Sequence, residues 1–331
     1  MGGVEIQEGR SLNSPAPKAT EPAIHIEGLN HSFGTKRVLK GIDWVLPTKG
    51  IVGLVGPNGA GKTTLFSLIA GFLNLQEGKI SVLGQSSPVA PALMGRVGVM
   101  PQDAIFARDI TIFDQLLFLL RLEGIHGDEA EQRAKTVMQQ VGLETELYRG
   151  AAVLSHGMGK RLGVAQSIIA KPEIVLLDEP TAGLDPANAR QIRSLMRELG
   201  KEALVIVSSH NLLELQDLID EVGVIFDGEL VASGSVEEVT RRERRFEILL
   251  DTIVTPELVV EMKKLSQVQK VEYEEYQLTV DLDAEYEGGL NGALSQLYSF
   301  LIQQGVPPHE VREGASLEQA YLRLTGEDQS S

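Results

Sequence analysis

The sequence has no cysteine, which excludes disulfides, thiolate metal sites and a cysteine nucleophile, and suits a reducing compartment. Positive charge is also short: 30 basic residues stand against 46 acidic ones, a formal net charge of -16. A field of that sign repels DNA, RNA and anionic lipid surfaces, so no nucleic-acid partner is expected. The six histidines are scattered, without the paired spacing of metal ligands. Long apolar runs are missing as well. The N-terminus lacks the continuous apolar segment of a secretory signal, and the uninterrupted stretches are short, such as Leu116 to Leu120 between Gln115 and Arg121. The chain is therefore not expected to span a membrane by itself.

What is there is an ordinary globular composition, 331 residues of which 43% are apolar. That is enough for one large domain, or a large one with a small one. Residues 1–22, rich in Ser, Pro and Ala, read as a disordered tail, and order is expected from Ile24. Short β-rich runs (IHIEGL, IVGLVG, KISVLG, RVGVM, EIVLLDE, ALVIVSSH, EVGVIFDG) then alternate with helical stretches such as TTLFSLIAGFL and PANARQIRSLMREL. Strands apolar throughout imply a sheet covered on both faces, as in parallel α/β folds. Between about residues 103 and 170 the rhythm breaks. TIFDQLLFLLRLEG and DEAEQRAKTVMQQVGL are amphipathic with no strand between them, so an inserted helical subdomain is predicted there within an α/β domain of residues 23–240. Past the charged run Arg241 to Arg245 the order becomes β-α-β-β-α-β, the split pattern of a small α+β, ferredoxin-like domain over residues 245–331, with SLEQAYLRLTG as a closing helix.

The strongest chemical signal is GPNGAGKT, Gly56 to Thr63, which matches G-x-x-x-x-G-K-[ST] between an apolar strand and a helix opening at Thr64. Its glycines (Gly56, Gly59, Gly61), with Asn58, let successive backbone N–H groups point inward as a nest for phosphate oxygens at a helix N-terminus. Lys62 supplies a charge for the β and γ phosphates, and the Thr63 hydroxyl is a hard ligand suited to Mg²⁺. IVLLDE, Ile174 to Glu179, is an apolar strand ending in two carboxyl groups: Asp178 to hold Mg²⁺, and Glu179 to polarise an attacking water. A buried strand ending in acidic residues is common, but beside a phosphate loop it implies a nucleotide site.

GPNGAGKTT, the glutamine of VGVMPQD, LSHGM, IVLLDEP, AGLD and the histidine of VIVSSH follow one another as in an ABC transporter ATPase subunit, which residues 24–240 resemble. The resemblance implies a P-loop NTPase core with N-terminal antiparallel strands. It also implies a head-to-tail dimer, homomeric or heteromeric, with two ATP molecules sandwiched between the phosphate loop of one subunit and the signature segment of the other. LSHGM stands at that signature, so Ser155 and Gly157 would face the partner's γ phosphate. His156 and Met158 depart from the usual LSGGQ; His156 also reads as a solvated turn residue, neutral for the most part at pH 7. By the same resemblance Gln102 would reach Mg²⁺ and the attacking water, Asp185 the opposing phosphate loop, His210 the γ phosphate, and Phe33 would stack on adenine, although an aromatic near a strand end is equally ordinary core.

The function implied is ATP hydrolysis that drives a transmembrane permease on a separate chain. The signature and the tail resemble exporter-type members, and the protein would then sit on the cytoplasmic face of the membrane. Apolar residues in the permease-facing neighbourhood are Ile105, Phe106, Ile110, Ile112 and Phe113, of which the loop 105–110 is the better candidate. The alternative is a soluble ABC-type ATPase acting on ribosomes or DNA. The single cassette, the missing heptad insert and the acidic charge stand against it.

Overall fold

The computed structural model describes residues 21–209, 215–240, 244–283, 286, 288–313 and 321. The tail reading up to residue 20, the closing helix apart from Tyr321, and His210 lie outside them. Among the described residues no helix is long and apolar enough to cross a membrane.

Two sheets build the larger unit. Strands β1 (Ile24–Phe33) and β2 (Lys36–Leu46) form an antiparallel hairpin, and β4 (Glu77–Val82) flanks β1 on its other side. The six-stranded sheet runs β5 (Val97–Met100), β6 (Ile174–Asp178), β7 (Leu204–Ser209), β3 (Gly50–Val55), β8 (Glu221–Phe226) and β9 (Glu229–Ser235). Its first five strands are parallel and β9 is antiparallel at the edge. Strands β6 and β7 are buried at every position, and their period of two shares them between two cores. Val175, Leu177, Val205 and Val207 pack with the helical segment, whereas Ile174, Leu176, Leu204 and Ile206 pack with the antiparallel sheet. Each such side chain contributes about 2 kcal/mol by leaving water. Trp44 of β2 closes the second core: it is 4% exposed, and a Cβ placed on Gly223 of β8 would come within 2.6 Å of its ring.

Helix α1 (Lys62–Ile69) follows β3 and is shorter than TTLFSLIAGFL suggests. The chain turns at Gly71, whose φ of 72° is left-handed and whose missing Cβ would meet Val89 at 2.8 Å. Between β5 and β6 lie α2 (Ile112–Leu122), α3 (Gly127–Gln140) and α4 (His156–Ile168) with no strand among them, and α5 (Pro186–Gly200) lies between β6 and β7. Side-chain caps set three of these starts: Thr111 accepts from the Asp114 N–H, Ser155 from Met158, and Asp185 from Ala187 and Asn188.

The described residues from Arg244 to Glu313 form a third sheet, four-stranded and antiparallel. Strands β10 (Arg244–Leu250), β11 (Val268–Tyr273), β12 (Gln277–Leu282) and β13 (Pro308–Glu313) assemble in the order β11-β12-β10-β13, with helices Pro256–Met262 and Gly289–Gln303 in the two crossovers. This is the split β-α-β arrangement expected from the sequence, and its apolar residues, among them Phe246, Met262, Val280 and Leu297, form a cluster of their own.

Candidate functional site

Ligands of open α/β sheets bind outside the carboxyl ends of the parallel strands. Here four neighbouring strands deliver functional groups to that edge. β3 leads into the phosphate loop, β6 ends at Asp178, β7 ends at Ser208 and Ser209, and β5 ends just before Gln102. The register pairs Asp178 with Ser208 and Val55 with Ser209, so the side chains arrive at one level.

The loop is built on close backbone approach. A Cβ on Gly56 would lie 2.2 Å from the Ile225 carbonyl oxygen, so no larger residue fits there. Lys62 is 6% exposed and its Nζ donates to the carbonyls of Gly56 at 2.7 Å and Pro57 at 3.1 Å. Burial holds its ammonium below the ordinary lysine value, and the carboxyl groups of Glu179 and Asp178 oppose that shift. An arriving phosphate would supply further negative charge to the same ammonium.

Beneath the loop, Thr63 Oγ1 donates to Asp178 Oδ2 at 2.6 Å. On the other side Ser208 Oγ donates to Asp178 Oδ1 and accepts the Glu179 N–H at 3.0 Å. Asp178 is 2% exposed and Ser208 wholly buried. Glu179 takes a φ of 50°, a left-handed conformation that costs a non-glycine residue about 1 kcal/mol. Strain of this kind persists only where the surroundings fix it.

A cleft of about 470 Å³ gathers Asn58, Gly59, Gly61, Lys62, Thr63, Thr64, Gln102, Asp178 and Glu179, and adds Lys36 and Val38 of β2. The β2 pair was missed in the sequence; the run KRVLKGIDWVL mixes polar and apolar residues around a glycine and does not stand out. Ser208 was also missed, although a serine in the apolar run VIVSS must find a partner when buried. A larger cavity of about 650 Å³ lies between α3, α4 and α5. Of the ionic groups on its wall, Arg133 pairs with Glu129 and Glu198 with Lys201, and the phosphate loop lines the other cleft, so the chemistry favours the smaller one.

Several predicted residues stand apart from the cleft lining. Phe33 ends β1, is 52% exposed and meets His31 edge to face at 4.8 Å. Ser155 caps α4, and its neighbour His156 packs on Gly183, where a Cβ would come within 3.3 Å of the imidazole. A Cβ on Gly157 would lie 3.2 Å from Leu184, and Met158 is partly buried against the core. Signature and AGLD segments thus contact each other within one chain. Asp185 caps α5, and its hydrogen bonds from Asn188 hold its carboxyl below the usual range. Of the residues considered for a permease contact, Ile112 is fully buried, and Phe106 and Phe113 pack on the core, whereas Ile105 is 94% exposed and Ile110 half-exposed. Gln115 holds that loop through the Ala107 N–H and C=O at 2.9 and 3.0 Å.

Comparison with known proteins places this geometry. The family described as ABC transporter matches residues 39–182. The linearmycin resistance ATP-binding protein LnrL of Bacillus subtilis is 29% identical over 92% of this chain and 98% of its own length. The uncharacterized ABC transporter ATP-binding protein YdbJ of the same organism is 36% identical over 66% of this chain and 70% of its own. A solved ATP-binding subunit of an ABC transporter superposes with a TM-score of 0.61 at 24% identity, covering 66% of this chain and 92% of that one, which speaks for the fold.

Proposed function

The chain belongs to the ABC transporter ATP-binding proteins, a family of ATPases, and from that premise we propose that it drives export through a separate transmembrane permease by closing as a head-to-tail dimer on two Mg·ATP. The observation that carries the reading is the Thr63–Asp178–Ser208–Glu179 network beneath the phosphate loop, in one cleft with Lys62 and Gln102.

Lys62 would exchange the carbonyls of Gly56 and Pro57 for the β and γ phosphate oxygens, while the loop N–H groups hold the remaining charge. Thr63 Oγ1 and Asp178 Oδ2 are hard oxygens already 2.6 Å apart. Among the described residues no cluster of three His, Cys, Asp or Glu could cage a metal. That donor set fits Mg²⁺, which keeps waters and phosphate oxygens as its other ligands, with Gln102 as a third protein group. Bound there, Mg²⁺ would neutralise charge on the transferred phosphoryl group. Glu179 would orient the attacking water and take its proton. His210 and the partner subunit's Ser155 would complete the surroundings of the γ phosphate, and Asp185 would face the opposing phosphate loop. Phe33, exposed at a strand end, is free to stack on adenine.

Since the signature segment is not part of the chain's own cleft, each site would be completed by a second subunit. ATP then favours closure and its hydrolysis removes that preference. The exposed Ile105 and Ile110, on a loop that Gln115 holds, would receive the permease at the cytoplasmic face of the membrane. LnrL, named for resistance, matches the C-terminal sheet region as well as the ATPase core, which supports export over uptake.

The test is Glu179→Gln. The variant should bind ATP and remain a dimer in saturating Mg·ATP, seen as a doubled mass in light scattering. A monomer under those conditions would sink the sandwich mechanism.

A further inference from the structure

Lys160 is the odd residue of α4. It is 7% exposed, and lysine is almost never buried to that extent unless something holds it. Its Nζ donates to two backbone carbonyls, Gln102 at 2.7 Å and Glu179 at 3.3 Å. These carbonyls follow two different strands, β5 and β6, and belong to the two residues that face the attacking water in the proposed site. The contact uses only backbone oxygen at both residues.

The contact at Glu179 has a specific consequence. Its left-handed backbone is held on the amide side by Ser208 Oγ and on the carbonyl side by Lys160 Nζ. A strained conformation needs such fixing from outside, and the direction of the Glu179 carboxyl depends on it. Lys160 also lies five residues after Ser155 on one helix, about 7.5 Å along its axis. One side chain therefore joins the segment offered to the partner's nucleotide to the hydrolytic groups of the chain's own. Burial lowers the pKa of Lys160, while Asp103, Glu179 and Asp178 counter it; even a neutral amine keeps two N–H bonds for two carbonyls.

We propose that Lys160 is a positioning residue that fixes the backbones of Gln102 and Glu179 for hydrolysis and ties them to the signature helix. The proposal rests on the ATPase reading above. It predicts a rate effect without a binding effect, because Lys160 is absent from the cleft lining and the phosphate loop does not touch it.

The experiment uses the full chain at saturating Mg·ATP and compares wild type with Lys160→Met, a near match in length without donors, and Lys160→Arg, which keeps them. Lys160→Met should lower kcat tenfold or more, with the KM and the equilibrium Kd for a fluorescent ATP analogue within twofold of wild type. Lys160→Arg should recover most of the rate. Thermal melting checks folding, and hydrogen exchange at the amides that follow Gln102 and Glu179 should quicken in the methionine variant. Unchanged kcat and exchange in a folded Lys160→Met would overturn the role of Lys160 and leave the ATPase reading standing. A proportional loss of ATP affinity, or no recovery by arginine, would likewise overturn it. A folded wild type that hydrolyses no ATP would overturn the reading itself, and the proposal with it.

Discussion

Changing Ser208 to alanine deletes one oxygen from the middle of the six-stranded sheet, level with Asp178 on one side and Leu54 on the other. Two hydrogen bonds vanish with it, the one donated to Asp178 and the one accepted from the Glu179 N–H. A neutral bond is worth about 1 kcal/mol and one to a charged group about 1.5–3, which sums to roughly 2.5–4 kcal/mol. The space of one hydroxyl is smaller than a water's share of the liquid, about 30 Å³, so solvent does not restore the bonds. Urea unfolding should therefore show a loss of about 3 kcal/mol, less whatever the neighbours regain by relaxing. If half of that loss also appears in the transition state, where Glu179 must aim at water, kcat falls about tenfold at 1.4 kcal/mol per decade. ATP affinity should hold within threefold, since Lys62 and the loop are untouched. A variant with stability within about 0.5 kcal/mol of wild type and kcat within twofold would refute the reasoning that this serine fixes the Asp178 carboxyl group and the Glu179 backbone.

Two further outcomes follow from side chains away from the reaction. Gln115→Leu leaves the Ala107 N–H and C=O unpaired, a local cost of about 2 kcal/mol at 1 per bond; the Ala107 amide should exchange faster and the loop 105–110 should be cut sooner by protease, and unaltered exchange would contradict this. Glu221 has its pKa raised by burial and then by the carboxyl groups of Asp220 and Glu238. Its contribution to stability is complete below the unfolded carboxyl value and is lost as pH rises through the raised folded one. Glu221→Gln should accordingly stabilise the protein at neutral pH, with the gain fading as the pH is lowered; an equal gain in urea unfolding at both ends of a pH series would show that charge is not the cause.

Much of the site could be read before any coordinates, because local geometry dictates it. GPNGAGKT needs its glycines wherever it occurs, and IVLLDE is a buried strand that must end in its acids. The periods of TIFDQLLFLLRLEG and DEAEQRAKTVMQQVGL likewise mark α2 and α3. What stayed hidden depends on partners distant in the chain. Lys160 and Glu179 are 19 residues apart, and Ser208 and Asp178 30 apart. No spacing rule links either pair; the packing of α4 against β6 brings the first together and the parallel register of β6 and β7 the second. Helix α1 was overextended because FSLIAGFL is apolar apart from Ser67, and the left-handed Gly71 follows its end. At LSHGM, Met158 packs as core, a role the pentapeptide alone does not reveal. Asp185 caps α5, a role not read from AGLD, and the cap already occupies the carboxyl that the partner subunit would address.

Trp44, the sole tryptophan, is wedged between the hairpin sheet and Gly223 of the six-stranded sheet. This makes it a built-in optical gauge of one interface. Its emission should shift to the red when those two sheets separate and stay dark to events in the four-stranded sheet, whose apolar cluster contains no tryptophan. Far-ultraviolet circular dichroism averages over every peptide. Denaturation curves recorded both ways would coincide if the chain melts as one cooperative body. The gap between them, where they part, would measure how independently the C-terminal unit melts.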